Sequence, residues 1–133
     1  MNTLCGACHR MPAPAGAPVD LKNPWNARHQ PLLLAASECF RKAEGKLSCL
    51  TCHQPHEALS HDATAYEAVC KSCHATPAHR PTTLTKQKTC TTCHMPSVSP
   101  GPGLRFANHR IGIYPALDPM NPATRKRTAA STR

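Results

Sequence analysis

Four copies of one short pattern contain eight of the nine cysteines in this 133-residue chain. Each copy is a cysteine, two other residues, a second cysteine and then a histidine, at residues 5–9 (motif 1), 49–53 (motif 2), 70–74 (motif 3) and 90–94 (motif 4). Their cysteines and histidines are Cys5, Cys8, His9, Cys49, Cys52, His53, Cys70, Cys73, His74, Cys90, Cys93 and His94. Two thiols one helical turn apart can add to the two vinyl groups of one haem, and the adjoining histidine then binds the iron as its proximal ligand. The pattern therefore predicts four haem c groups.

Zinc binding is the main alternative to haem, because two pairs of cysteines with this spacing can form a tetrahedral site with four cysteine ligands. A zinc ribbon has no need of a histidine directly after the second cysteine, yet all four copies have one. A thioredoxin-like redox site would need one such pair on a strand–helix unit. A disulfide framework gives no reason for the histidine. Haem is the favoured interpretation, and zinc and thiol redox chemistry remain the alternatives.

Five histidines lie outside the motifs and are candidates for the second axial position of the irons. In descending order of preference they are His109, His56, His79, His29 and His61. His56 follows His53 by three residues, so it cannot reach the iron that His53 holds and would bind another one. His109 lies in an extended segment after the last motif and can fold back over the others. The first four are predicted distal ligands, and His61 is the first to be omitted.

The sequence around the motifs predicts short helices joined by loops. Residues 11–31 hold five prolines and predict an irregular connector, which leaves motif 1 apart from the three evenly spaced motifs. A helix is predicted over residues 31–43, with Gly45 as its stop and Cys39 as a small buried residue on its apolar stripe. Residues 47–53 predict a turn for motif 2. A capping box at residues 64–67 opens a helix that ends on motif 3, and a weaker helix from about residue 85 carries motif 4.

After motif 4 the sequence becomes a loop rich in proline and glycine, followed by an extended segment. From Asp118 onward it predicts a frayed basic tail. Met11 in the connector and Met120 in the tail are therefore not expected to bind iron. We predict one tetrahaem cytochrome c domain over residues 1–117 and a flexible tail over residues 118–133. The predicted fold class is mostly α and loop-rich, with little regular sheet, organised around four covalent haems.

The composition of the chain supports a bound cofactor. Aromatic residues make up 4% and the 14 prolines outnumber the 6 glycines, so large core-forming side chains are scarce. Bound macrocycles would supply the missing apolar volume. The formal charge of +9 would by itself suggest a nucleic-acid partner. Four haems bring that charge to about +5 when oxidised and about +1 when reduced. The basic side chains are therefore interpreted as partners of haem propionates, and nucleic acid is not an expected partner.

The chain carries no recognisable export signal and no membrane span. Only four residues precede Cys5, and the longest strictly apolar run is five residues, 32–36. Covalent attachment of haem c takes place outside the cytoplasm. We therefore expect a periplasmic or extracellular protein, and a chain that is a mature segment or a fragment of a longer one.

Four stretches of the chain together resemble one family: SECFRKAEGKLSCLTCHQPH, YEAVCKSCH, CTTCHMP and FANHRI. They are similar to the multihaem cytochromes c typified by the tetrahaem cytochrome that accepts electrons from hydroxylamine oxidoreductase. The likeness is greatest to bacterial relatives whose cytochrome domain precedes tetratricopeptide repeats, and it covers residues 5–115. The resemblance implies that His56 and His109 are distal ligands and that the haems pack in stacked and near-perpendicular pairs. The chain departs from those relatives in its missing export signal and repeats, and we expect a longer parent as the source of further haems or of the distal ligand at the haem of His9.

The function predicted from these features is electron transfer through four haems, most of them with two histidine ligands. Such irons have no open position and rearrange little between oxidation states. The partners would be redox proteins, which the sequence does not identify. One alternative is a haem enzyme acting on a small nitrogen compound, with motif 1 as the best candidate for a vacant distal position. Another is a haem-stabilised interaction module of a larger repeat protein.

Overall fold

The computed structural model describes residues 2–9, 18–76, 79 and 88–123. Its regular elements are, in chain order, α1 (Asn2–Cys8), a 3-10 helix (Pro24–Arg28), α2 (Gln30–Ala35), α3 (Glu38–Lys42), α4 (Cys49–Cys52), α5 (Ala63–Cys73), α6 (Cys90–His94), β1 (Ser97–Val98) and β2 (Phe106–Ala107). The described chain is mostly helix and loop with two short antiparallel strands, which confirms the predicted fold class at this level. Within these ranges, every helix is too short or too polar to cross a membrane.

Parts of the sequence-based prediction fall outside the described residues. They are most of the proline-rich connector with Met11, the start of the helix predicted from residue 85, and the chain after residue 123. Motif 4 itself is described, and it forms the short helix α6.

The start of α5 is fixed by an aspartate rather than by the predicted capping box. The Asp62 carboxylate accepts a hydrogen bond from the Thr64 N–H at 2.8 Å and another from the Thr64 hydroxyl at 2.6 Å. The helix therefore begins at Ala63, two residues earlier than a cap at Thr64 allows. The capping box predicted over residues 64–67 is wrong, because the Glu67 carboxylate has partners elsewhere in the fold.

The helix predicted over residues 31–43 is wrong as a single element, because α2 and α3 are separate helices. Between them Ser37 is extended, with φ −75° and ψ 138°, and it is 1% exposed. Its hydroxyl contacts a distant part of the chain, at His109 and Ile111. This tertiary contact overrides the local preference for a continuous helix. The predicted stop is confirmed, since α3 ends shortly before Gly45, which has a φ of 86°.

A small hydrophobic core lies among the 3-10 helix, α2 and the β1–β2 hairpin. Its members are Ala27, Leu33, Val98 and Met120, with Leu21 and Phe106 packed against them. The hairpin pairs Ser97 with Ala107 and Val98 with Phe106, and β2 contacts the 3-10 helix. Several large hydrophobic side chains remain exposed, namely Leu4, Trp25, Leu50, Leu59, Leu104, Ile113 and Leu117.

The segment formed by residues 118–123 belongs to this core and is not frayed. Met120 is 3% exposed, and the Ala123 N–H donates a hydrogen bond to the carbonyl of Ile113 at 2.7 Å. The prediction of a flexible tail that begins at residue 118 and contains Met120 is therefore wrong for these residues. The polar and proline-rich composition of the segment does not reveal that one apolar side chain in it is buried.

Candidate functional site: the four motifs and their histidine partners

All four motifs lie on a helix or at its end, with their two cysteines one turn apart. Motif 1 lies on α1, motif 2 on α4, motif 3 at the end of α5 and motif 4 on α6. In motifs 1, 2 and 3 the histidine N–H closes the turn on the carbonyl of the first cysteine, at 2.8, 3.0 and 2.9 Å. Attachment of both thiols to one macrocycle requires this spacing. The local structure of the motifs therefore suits the chemistry predicted for them.

The motif thiols are accessible and unbridged. Each is half-buried or exposed, and none forms a disulfide. Burial is the main cause that raises the pKa of four of them, which are Cys49, Cys52, Cys70 and Cys90. These four thiols therefore lack the lowered pKa that is typical of thiol-redox cysteines.

The described residues contain no group of three or more His, Cys, Asp or Glu side chains arranged to hold one metal ion. The eight motif cysteines are all within the described ranges, so the described geometry offers no zinc site with four cysteine ligands. A haem iron has a smaller requirement. Its porphyrin supplies four nitrogens, and the protein supplies one or two axial side chains. Pairs of histidines, rather than clusters of four ligands, are therefore the feature that tests the haem interpretation.

The histidine of motif 2, His53, pairs with His109. The two imidazole rings lie 6.2 Å apart between centroids, with 41° between their planes. The Nδ1–H of His109 donates to the carbonyl of Ala107 at 3.0 Å, so the neutral ring presents an unprotonated Nε2. Tyr66 of α5 lies edge-on to His53 at 5.6 Å and flanks its ring. The residue ranked first among the predicted distal ligands therefore faces a motif histidine.

The histidine of motif 4, His94, pairs with His79. Their ring centroids are 6.3 Å apart, with 20° between the planes. The Nδ1–H of His94 donates to the carbonyl of Gly112 at 2.8 Å, and the Gly112 N–H donates to the backbone carbonyl of His94 at 3.1 Å. This hydrogen bond fixes the ring through Nδ1, so the lone pair of Nε2 is the one that could bind a metal. This hydrogen bond is the usual support of a metal-binding histidine.

The separation of the rings fits a shared metal ion. A metal–imidazole bond is about 2.0–2.1 Å, and the nitrogen lies about 1.1 Å from the ring centroid, so two imidazoles on opposite sides of one ion have centroids about 6.2–6.4 Å apart. Both observed separations, 6.2 and 6.3 Å, match this value. The angle between the planes is unrestricted, because each ring can rotate about its bond to the metal. The two separations are therefore compatible with a haem iron that each pair of histidines would hold.

Burial also favours the metal-binding form of the motif 2 pair. It is the main cause that lowers the pKa of His109, and it likewise lowers the pKa of His53, with a further contribution from nearby His9. Both rings are therefore neutral at pH 7. Neutral imidazole is the form that binds a metal, because its Nε2 lone pair is free.

The other candidate histidines lie in different surroundings. His29 is 6% exposed and precedes α2, the helix that packs on α1 and so lies beside motif 1. His56 is exposed and has a φ of 64°, and His61 is exposed too. The ring pairs at motifs 2 and 4 are formed by His109 and His79, so His29 and His56 stay predictions as distal ligands.

Motif 1 lies against motif 2, contrary to the expectation that it stands apart. The Cys5 thiol hydrogen-bonds with the Cys49 thiol, which adds to the raised pKa of the latter. His9 is close enough to His53 to lower its pKa. The packing of α1 on α2 brings the first motif back to the others, although the proline-rich connector separates them along the chain.

Motifs 3 and 4 are joined by the carboxylate of Glu67, which is one helical turn ahead of Cys70. One oxygen of Glu67 accepts the backbone N–H of Cys90, the first residue of α6, at 3.0 Å. The other accepts from Lys71 at 3.0 Å. These hydrogen bonds lower the pKa of Glu67. Motif 2 lies next to motif 3, because α4 contacts α5. Cys39 of α3 lies near a cysteine of each of these motifs, Cys52 and Cys73.

Sequence reasoning missed several residues that support the site. Glu67, Ser37 and the carbonyls of Ala107 and Gly112 all act on motif residues or their partners. Cys39 is half-buried rather than buried. Of these residues, only Gly112 could have been suspected from the sequence, because it lies close in the chain to the predicted ligand His109. The sequence does not show that the Gly112 carbonyl contacts the ring of His94.

Comparisons with protein-family models, curated proteins and solved structures give no match to this chain. The resemblance to tetrahaem cytochromes therefore stays a prediction, and the proposal of function depends on the geometry of the motifs and their histidines.

Proposed function

We propose that this chain is an electron-transfer protein that carries four covalent haem c groups, one at each motif. Two of the irons take a pair of histidines from the protein, His53 with His109 and His94 with His79. When bound, each haem supplies one-electron redox chemistry. The protein holds the haems close together and sets the ligands of their irons.

The observation that carries the proposal is the geometry of the two histidine pairs. Each pair joins a motif histidine to a histidine predicted as a distal ligand, at the separation that a shared iron requires. In each pair one ring donates its Nδ1–H to a backbone carbonyl and so presents Nε2. A zinc or thiol-redox function gives no reason for histidines outside the motifs to pair with those inside them.

The order of the motifs in space supports transfer along a series of sites. Motif 1 touches motif 2 through the Cys5 and Cys49 thiols. The helix of motif 2 contacts the helix of motif 3, and Glu67 links motif 3 to motif 4. Neighbouring haems attached at these positions would be separated by short distances. The location follows from the cofactor, since haem c is attached in the periplasm or outside the cell, where redox proteins would be the partners.

The test is a haem count combined with spin state, on protein exported and matured in a host that attaches haem c. We expect four haems per chain by mass and by the absorbance of the pyridine complex, with low-spin signals for the irons of motifs 2 and 4. A reversible redox titration should follow. Protein that binds zinc and no haem would contradict the proposal. High-spin irons at motifs 2 and 4 that bind carbon monoxide would favour the enzyme alternative.

A further inference from the structure

The segment that carries His109 is hydrogen-bonded to the buried hydroxyl of Ser37. We call residues 108–112 the ligand strap. Ser37, in the break between α2 and α3, is 1% exposed. Its Oγ lies 3.0 Å from the carbonyl oxygen of His109 and 2.8 Å from the backbone nitrogen of Ile111. The hydroxyl therefore donates to one peptide unit of the strap and accepts from another.

The position of Ser37 interrupts a helix, which indicates that the contact with the strap decides the local fold. The same hydroxyl lies 3.3 Å from the carbonyl of Leu33, where a serine inside a helix would donate. The closer carbonyl is that of His109, and the helix is broken at this residue. A hydroxyl has one proton and two lone pairs, so it can bridge the two strap groups at once. The Ile111 N–H also donates to the carbonyl of His109 at 3.0 Å, so loss of the hydroxyl would remove the link between these two peptide groups and residue 37 rather than leave them unpaired.

The other end of the ligand strap is held by motif 4. The carbonyl of Gly112 accepts the Nδ1–H of His94, and the N–H of Gly112 donates to the backbone carbonyl of His94. At the first end of the strap, the Asn108 side chain is 0% exposed and donates to the carbonyl of Pro119 at 2.7 Å. The strap is thus fixed at both ends. Of these anchors, Ser37 is the one that bonds the peptide groups of residues 109 and 111 themselves.

We propose that Ser37 is a positioning residue for the iron at motif 2: its hydroxyl fixes the ligand strap so that His109 faces His53. This inference rests on the proposed function. Under this proposal, Ser37 affects the binding of a distal ligand at one of the four irons. Without the hydroxyl, the strap loses its anchor beneath His109, and the ring leaves the axial position for part of the time.

The test compares Ser37→Ala and Ser37→Cys with His109→Ala in haem-loaded protein. The cysteine variant nearly preserves the volume of serine but is a weak hydrogen-bond donor, so it separates loss of the bridge from loss of packing. Both Ser37 variants should convert part of the low-spin signal of one haem to high spin and allow that haem to bind carbon monoxide. His109→Ala should convert that haem completely. Added imidazole should restore the low-spin spectrum in all three variants, and a Tm and far-UV circular dichroism spectrum close to those of the unmodified protein would exclude a general loss of structure.

The matched control is Ser99→Ala. The Ser99 hydroxyl also contacts two backbone carbonyls, those of Gly101 at 3.2 Å and Leu104 at 2.9 Å, but in an exposed loop of the hairpin. It should leave all spin states unchanged. Unchanged spectra in both Ser37 variants, with a high-spin haem in His109→Ala, would overturn the inference and leave the proposed function intact. An unchanged spectrum in His109→Ala would overturn the assignment of this ligand and, with it, the role of Ser37.

Discussion

Motifs 2 and 4 differ from motifs 1 and 3 in what surrounds their histidines. His53 and His94 are half-buried, and each faces a second imidazole. His9 and His74 are exposed, and the two imidazole pairs include neither of them. The ligand strap supplies part of the difference, because it carries His109 and because its Gly112 carbonyl accepts the Nδ1–H of His94. The second imidazole at motif 4, His79, lies outside the strap. One short segment therefore contributes to the surroundings of two motif histidines, in one case with an imidazole and in the other with a backbone carbonyl.

The largest expected effect is the loss of one haem when a pair of motif thiols is removed. Cys49→Ala/Cys52→Ala and Cys5→Ala/Cys8→Ala should each lower the haem count from four to three, because both thioether bonds at one site are lost. Mass spectrometry of the mature protein measures this. The matched control is Cys39→Ala, which lies outside the motifs and should retain four haems. A loss of haem in the control would show that the motif cysteines are not the attachment sites.

The next effect distinguishes a histidine that pairs with a motif histidine from one that does not. His79→Ala should open the iron at motif 4 to carbon monoxide and add about one binding haem per chain relative to the unmodified protein. His61→Ala, which changes an exposed histidine outside the pairs, should bind no more carbon monoxide than the unmodified protein. Titration of bound carbon monoxide by absorbance gives the stoichiometry. Equal binding by the two variants would break the distinction between paired and unpaired histidines.

A smaller effect should follow from a change at the outer nitrogen of His94. In Gly112→Ala the new Cβ would lie 2.9 Å from the Cβ of Pro122, so the backbone or the proline must shift. The carbonyl of residue 112 then holds the Nδ1–H of His94 less well, and the imidazole becomes a weaker electron donor to the iron. We expect one of four potentials to rise while all four irons keep their spin states. Potentiometric titration measures this shift, and four unchanged potentials would contradict it.

The smallest effect concerns the helix that carries motif 3. Hydrogen bonds from Thr64, first from its hydroxyl and then from its backbone N–H, lower the pKa of the Asp62 carboxyl from its usual 3.8. A lowered carboxyl pKa stabilises the folded state above pH 3.8, and this contribution is lost as the pH falls through the lower folded-state value. Asp62→Ala should therefore lower Tm at about pH 6, and its deficit against the unmodified protein should narrow in acid, below the usual carboxyl pKa. Asp62→Asn keeps an acceptor at the cap and serves as the control. A deficit that is constant with pH would contradict this account.

The sequence predicted the parts of this molecule that depend on local spacing. The helical turn of each motif and the end of α3 before Gly45 follow from residues close together in the chain. The break at Ser37 did not, because the partners that interrupt the helix are 72 and 74 residues away. The cap of α5 was misassigned for a related reason. Glu67 has a suitable type and position for a capping box, but its carboxylate accepts the backbone N–H of Cys90, which lies 23 residues later in the chain.

The burial of Met120 determines where this chain can be joined to another. A fusion or truncation after residue 117 would remove Met120 from the core that it forms with Ala27, Leu33 and Val98. Loss of a buried methionine side chain typically costs about 2–5 kcal/mol of stability. A junction placed after Ala123 keeps that side chain and the hydrogen bond from Ala123 to Ile113. Recombinant versions, tags and linkers to neighbouring domains should therefore begin beyond residue 123.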